Sequence, residues 1–366
     1  MYVYKRKDAT RDGRAWVYQI GYKNYEGKYK RYTSRKFKTR KEAIEEGAIF
    51  MLENKKIKGR KVMTVKELCD IFYDYQKNKV KNTTLYTYIQ RRKYFKVLDN
   101  IEIGRLTIED YKLWRHCIEN CNLSSKYKND IQKFFKEILM FAEKWYGYDF
   151  RNYYNKFDKF KDPNKLEKEK IDFYTPEEFN QFIDVEDDLK FKVAFEILYY
   201  CGLRRGELLA LTWNHIDFNK KELSVTQNLV EDRINGGYLI TSPKTRSSIR
   251  TLPLTDVVLE DLNLLKLKNE KKKNFSSNWY ILGNEKYLPI TNLMNRKNIN
   301  CKKAGLKQIR LHDFRHSCAS LLISKGANVT IVAKYLGHSK IEETLNTYSH
   351  FFKSDLDKIM EILNNL

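Results

Sequence analysis

Four of the six histidines in this 366-residue chain fall between residues 312 and 350. Histidine is the side chain best placed for proton transfer near neutral pH. The first of the four stands in HDFRH, where His312 and Arg315 share one face of a helix by their i, i+3 spacing. A guanidinium beside an imidazole suits a phosphate: the fork holds two oxygens and the imidazole donates a third hydrogen bond. Upstream, the apolar run FKVAFEILYYC leads into CGLRRGELLALTW, so Arg204 follows a Gly-Leu turn at a helix end. Glu207, one helical turn on, is placed to pin a guanidinium by a charge-assisted bond. A third segment, GHSKIEETLNTYSH, carries His338 and Tyr348. Taken singly, each segment also reads as an ordinary helix-surface pair.

The elements that must position these residues begin after the charged stretch KFKDPNKLEKEK at 159–170, the clearest linker in the chain. There YTPEEF offers Thr175 as a helix cap and Pro176 at the first helical position. The segment 171–366 reads as mostly helical. It is interrupted by two β patches, ELSVTQNLV (222–230) and YLITS (238–242), the second leading through the basic PKTRSSIRTLPL. Before the linker, 64–158 has helical periodicity. Thr64 with Glu67 and Thr107 with Asp110 have capping-box spacing. Thr83 or Thr84 starts a second helix running to about Leu98, and NLSSKYKNDIQKFFKEILMFAEKWYGY supplies a long fourth. Residues 55–63, KKIKGRKVM, read as another linker. In 1–60, Trp16, Tyr18, Ile20 and Tyr22 alternate with a period of two, turn residues span 24–27, and 29–32 forms a second strand. Thr39 with Glu42 then opens a helix. The expected fold class is mainly α with small β elements: a two- or three-stranded sheet plus helix (1–60), a helical domain (64–158) and a mostly helical domain with a β-hairpin (171–366).

The net charge is +23, and residues 1–61 hold 19 Lys or Arg against 7 Asp or Glu, giving 19 − 7 = +12. A uniformly lysine-rich chain would spread the excess, so this is a dedicated basic module, and nucleic acid is the partner such a module suits. No apolar run approaches ~18 residues and the N-terminus has no signal-peptide core, so no membrane association and a cytoplasmic location are expected. The six cysteines are scattered and read as reduced thiols. His116, Cys117 and Cys121 lie on one helix but lack a fourth ligand and the tighter spacing of a zinc site. No acidic triad suits two catalytic metals and no P-loop is present, so neither metal nor nucleotide cofactor is expected.

Together the three segments resemble the tyrosine recombinases, the integrases related to that of phage lambda. The first arginine box is Gly202-Leu203-Arg204-Arg205-Gly206-Glu207. The second, H-x-x-R, is His312 to Arg315. The LGH box is Leu336-Gly337-His338, and the nucleophile box is Tyr348-Ser349-His350. The hairpin lysine of the family looks like Lys244 in Pro243-Lys244-Thr245. Phe314 stands where Leu is common and Ser317 where Thr is common, and neither position is catalytic in the family. The resemblance covers 171–366. More loosely, 64–158 is similar to a core-site-binding domain and 1–60 to an arm-site-binding domain of integrases from phages and conjugative elements.

The resemblance implies strand cleavage and rejoining through a 3′-phosphotyrosine on Tyr348, with no external energy source. Arg204 and Arg315 would clamp the non-bridging oxygens, and His338 would donate to the phosphate. His312 would accept the phenol proton or hold a phosphate oxygen, Lys244 would protonate the 5′-hydroxyl leaving group, and Glu207 would orient Arg204. His316 reads as a packing residue or a support standing behind the catalytic groups, rather than a catalyst itself, His350 as a cap, surface or site-lining residue, and His116 and His215 as ordinary. The implied partners are double-stranded DNA attachment sites and a homotetramer on DNA, with an excisionase or a host DNA-bending protein as further candidates. Leu356, Ile359, Met360 and Leu363 form an apolar stripe, which such a family docks onto a neighbouring protomer. The competing readings are a type IB topoisomerase-like or hairpin-resolving enzyme, a non-catalytic DNA-binding regulator, and a basic protein of membrane surfaces or polyanions. The arm-like N-terminal unit argues against the first, the intact Arg-Lys-His-Arg-His-Tyr set against the second, and the motif set as a whole against the third.

Overall fold

The computed structural model describes residues 1–10, 12–23, 29–54, 62–161, 172–243, 245–348 and 363–364. The chain divides into two compact units, Met1–Leu166 and Glu167–Leu366.

The first unit opens with an antiparallel sheet of β1 (Tyr2–Lys5), β2 (Trp16–Lys23) and β3 (Tyr29–Thr33) in that order. Tyr18 packs with Phe37 and Ala43, and Trp16 and Ile20 join from the same strand, so the period of two selects the face that meets helix α1 (Arg40–Asn54). The Thr39–Glu42 capping box forms in both directions, at 3.1 and 3.4 Å. A separate core unites α2 (Val65–Lys77), α3 (Asn82–Arg92), α4 (Ile108–Glu119), α5 (Ser125–Tyr146) and the single turn α6 (Arg151–Tyr154) around Phe95, Trp114, Phe134 and Phe135. Thr64 and Thr107 cap α2 and α4 as expected. Helix α3 begins at Asn82, ahead of Thr83 and Thr84. It tightens into a 3₁₀ stretch over Lys93–Leu98, which turns Phe95 and Leu98 inward together at three-residue spacing. Met63 and Phe160, read as linker residues, are buried in this same core.

The second unit is built around α8 (Leu189–Tyr200), whose residues 193–199 are all buried. It follows α7 (Pro176–Asp184), capped by Thr175 with Pro176 at its start. After α9 (Arg205–Leu209), β4 (Ile216–Asp217) pairs with β5 (Glu222–Val225). The hairpin of β6 (Asn228–Glu231) and β7 (Tyr238–Thr241) comes next, and β8 (Arg250–Pro253) returns to complete the order β4-β5-β8. Helices α10 (Asp256–Glu270), α11 (Ile290–Lys303), α12 (Asp313–Ser324), α13 (Val329–Leu336) and α14 (Ile341–Tyr348) follow. Both α10 and α12 pack on α8.

The patch 222–230 is therefore two strands in two sheets rather than one. Leu223 and Val225 are buried in the main core, whereas β6 passes against α9 so closely that a Cβ on Gly206 would lie 2.4 Å from Asn228 Oδ1 and 2.6 Å from the Leu229 carbonyl. The chain must change direction between these demands. The expected mainly-α class with small β elements otherwise holds.

Candidate active site

Helix α12 carries the centre of the site. Phe314 is buried in the aromatic cluster of Phe182, Phe195 and Tyr174, which fixes the helix rotation. Arg315 is 2% exposed. Its Nη1 donates to the Gly202 carbonyl at 2.8 Å, while the buried Nη2 has no protein acceptor. Gly202 supplies that carbonyl at φ +59°, where a Cβ would meet Leu336 at 2.6 Å, so the turn that ends α8 requires glycine.

Arg204 follows as the residue before α9. Its main-chain N–H donates to Glu207 Oε2 at 3.0 Å, its Nη1 to Glu207 Oε1 at 2.8 Å and its Nη2 to the Gly337 carbonyl at 3.2 Å. Glu207 thus caps the helix and holds the guanidinium at once. Gly337 ends α13 at φ +70° and hands the chain to His338, whose Nδ1 lies 2.8 Å from Thr344 Oγ1. Tyr348, the last residue of α14, is 2% exposed, and its hydroxyl lies 2.6 Å from His316 Nδ1. His312 meets the His316 ring edge to face at 4.9 Å.

Six sequence-predicted residues, Arg204, Glu207, His312, Arg315, His338 and Tyr348, are therefore brought into one site. Lys244, His350 and the tail stripe at Leu356, Ile359 and Met360 lie outside the described residues. His116 sits on α4 in the other unit, beside Asn120. His215 closes a small turn through Thr212 and Thr226.

Two further residues take definite places in the site. His316, expected to pack or to support the catalytic groups, contacts the tyrosine hydroxyl directly. Arg250 was not singled out, yet it occupies the centre of the network. Its Nη2 donates to Glu207 Oε2 at 3.1 Å, its Nε to the Tyr335 carbonyl at 2.8 Å and its Nη1 to the Ser248 carbonyl at 3.1 Å. A signal existed: Arg250 is in phase with the buried Leu252 and Leu254, which puts an arginine on the inward side of a strand.

The electrostatics are those of a cation-rich pocket. Burial, and then the Arg204 and Arg250 charges, lower Arg315 to about 9. Burial, with Arg315 and Arg204 behind it, lowers His338 to about 4. His312 is displaced in the same direction by desolvation, His316 and Arg315, with water at its open edge screening the neighbours. Burial opposes ionisation of Glu207, but Arg250 and Arg204 outweigh it and keep the carboxylate below its usual range. Burial raises the Tyr348 phenol, and Arg315 alone pulls it back. A site with this cation excess and an unanswered buried guanidinium N–H is suited to an anion with several oxygens. Among the described residues, no group of three or more His, Cys, Asp or Glu is placed to hold a metal ion, and no helix is long and apolar enough to cross a membrane.

Fold and site together define the class: a mostly helical domain that gathers three arginines and three histidines round a buried tyrosine. Residues 172–355 match the phage integrase family model and residues 4–53 an arm DNA-binding domain model. The chain belongs to the phage integrase family. It is 33% identical over 209 residues to the ICEBs1 integrase of Bacillus subtilis, covering 55% of this chain and 56% of that one. It thus spans about half the length of that curated relative. The integrase of Staphylococcus phage L54a is 23% identical over 334 residues, covering 84% and 94%. Among solved structures, the Tn1549 transposon integrase in complex with transposon right end DNA superposes with a TM-score of 0.63 at 23% identity, covering 82% of this chain and all of that one. A lambda integrase dimer bound to a COC′ core site gives 0.56 at 15%, covering 93% of each.

Proposed function

We propose that the chain is a site-specific DNA recombinase that cleaves and rejoins strands through a 3′-phosphotyrosine at Tyr348, integrating or excising a mobile element or prophage. The observation that carries this reading is the Tyr348 phenol seated in the same pocket as Arg315, whose buried Nη2 lacks a protein acceptor. A free phenol at pH 7 costs roughly 4 kcal/mol to ionise. Burial raises that cost further, so ionisation must be coupled to arrival of the phosphate and to a proton acceptor.

In this scheme a DNA phosphate takes the free Arg315 N–H and the outer edge of Arg204. Both guanidiniums then offset the charge that grows on the non-bridging oxygens in the five-coordinate transition state. His338, oriented through Thr344, and His312 complete the phosphate contacts. Lys244 protonates the 5′-oxygen as it leaves, and Glu207 and Arg250 position Arg204. No water is consumed, and the phosphodiester energy is kept for religation.

The proposed organisation is an arm-site-binding domain at 1–60, a core-site-binding domain at 64–158 and a catalytic domain at 171–366. Double-stranded attachment sites and a homotetramer are its partners, an excisionase or a DNA-bending protein its helpers, and the cytoplasm its location. The arm match at 4–53 and the +12 charge of residues 1–61 support the first assignment.

The test incubates wild type and Tyr348→Phe, without metal, on nicked DNA carrying the junctions that flank the gene. A chelator-resistant protein–DNA adduct in wild type and none in the variant is expected. Specific retention of that DNA by both proteins, with no adduct from either, would make the chain a binder instead.

A further inference from the structure

We propose that His316, rather than His312, takes the Tyr348 proton during attack; the proposal rests on the recombinase reading above. The phenol oxygen is the reacting atom, and His316 Nδ1 lies 2.6 Å from it. The rings are tilted at 59° with centroids 5.9 Å apart, so the contact is made through the ring nitrogen and not by stacking. His312 makes no side-chain hydrogen bond among the described residues, meets the His316 ring edge to face and is exposed, open to an incoming phosphate. The two histidines thus divide the work that one was expected to do. The inner ring serves the nucleophile and the outer ring serves the phosphate.

The step balances without any further reactant. The phenol O–H bond breaks and its proton passes to Nδ1. The oxygen's electron pair forms the bond to phosphorus, and the bond from phosphorus to the 5′-oxygen breaks. That oxygen takes a proton from a separate donor, Lys244 in the scheme above. In religation His316 returns its proton to the departing phenol.

A neutral acceptor is required, and the surroundings favour one. Burial lowers His316, Arg310 and Arg315 lower it further, and only Asp313 opposes them. His312 at the cap of the same helix and Tyr348 from α14 are the other titratable groups against it. Those cations discourage an imidazolium in the free protein, and the incoming phosphate charge reverses the balance when the proton has to be accepted. The fixed Nδ1 also needs its own proton on Nε2, which makes the proposal decidable in the resting protein.

The first experiment is long-range 1H–15N correlation on the full chain with 15N-labelled histidine, the His316 signals being assigned by their loss in His316→Gln. An unprotonated Nδ1 with the proton on Nε2 is expected. A proton on Nδ1 would make His316 a donor to the phenol and overturn the proposal. The second measures adduct formation on the nicked junction DNA with Tyr348 or with a fluorotyrosine at 348, whose phenol is more acidic. His316→Gln should slow wild-type cleavage by about 10²–10⁴-fold, the range for a positioned proton-transfer group. The fluorotyrosine should restore much of that loss, whereas it should leave the deficit of His312→Gln unchanged. An equal deficit for His316→Gln with either tyrosine, or no deficit, would overturn the assignment. If the wild type formed no adduct, the recombinase reading would be at fault, and the nitrogen protonation would still decide whether His316 can accept this proton.

Discussion

The Glu207 carboxylate holds two guanidiniums, and its removal should separate the two. Arg204 is about a third exposed and can turn to water, but the Arg250 side chain is 6% exposed and has Glu207 as its charged partner. In Glu207→Ala, Arg250 keeps only the Tyr335 and Ser248 carbonyls, so a buried charge is left without compensation. Breaking a buried pair from one side costs about 3–5 kcal/mol. For a unit of this size each kcal/mol moves Tm by about 2–4 °C, so a fall of roughly 6–20 °C is expected in scanning calorimetry. The double variant Glu207→Leu with Arg250→Met removes the charge as well as its partner and should recover most of that loss. Strand cleavage should not recover with it, because Arg204 remains untethered. A Glu207→Ala cost below about 1 kcal/mol would refute the reasoning. So would a double variant as unstable as the sum of the singles, because the pair would then not be coupled.

Burial next to Asp261 raises Glu196 to about 8, and Lys192 lies nearer Asp261 (2.7 Å) than Glu196 (3.9 Å). The folded chain therefore binds a proton that the unfolded chain releases near pH 4.5, and stability should fall as pH rises from about 4.5 to about 8. Glu196→Gln should flatten that slope in urea unfolding followed against pH; an unchanged slope would mean that Glu196 is ionised in the fold. Gly337→Ala places a Cβ 3.0 Å from the Ser247 carbonyl and 3.2 Å from Arg250 at φ +70°, and should cost about 1–3 kcal/mol with slower cleavage through the Arg204 contact. A variant as stable and as active as wild type would show that the Gly337 turn adapts freely. Deleting 1–61 removes a net +12 and should leave covalent cleavage of core sites while weakening DNA binding and flattening its salt dependence; equal salt slopes for the two proteins would count against a DNA contact by that segment.

What was legible in the sequence is what short-range geometry controls. Glu207 reaches the Arg204 main chain and side chain within one helical turn, and i, i+3 spacing holds Arg315 in the first turn of α12 beside His312 at the helix cap. The capping boxes at Thr39, Thr64 and Thr107 and the cap at Thr175 are readable for the same reason. The α3 start was misplaced because Lys81, the residue at its N-cap, makes no side-chain cap, so the threonines that followed drew the boundary inward. The split of 222–230 depends on how closely β6 passes Gly206, a distance that no strand pattern contains.

The contacts that complete the site are all long-range, and that is why their partners are not legible in the sequence. His316 meets Tyr348 only because Phe314 sets the rotation of α12 in the core and α13 and α14 pack together to return the tyrosine. Arg250 meets Glu207 only because β8 closes the sheet with β5, with Leu252 opposite Leu223. Both are polar residues on inward faces, where an unpaired group is costly. Sequence periodicity can therefore flag such a residue as needing a partner without naming the partner. Here the partners are the two groups that the family motifs had already marked, the carboxylate that holds the first arginine and the tyrosine itself. The motif residues set out the chemistry, and the inward-facing residues around them keep Arg204 aimed and Tyr348 in reach of a proton acceptor.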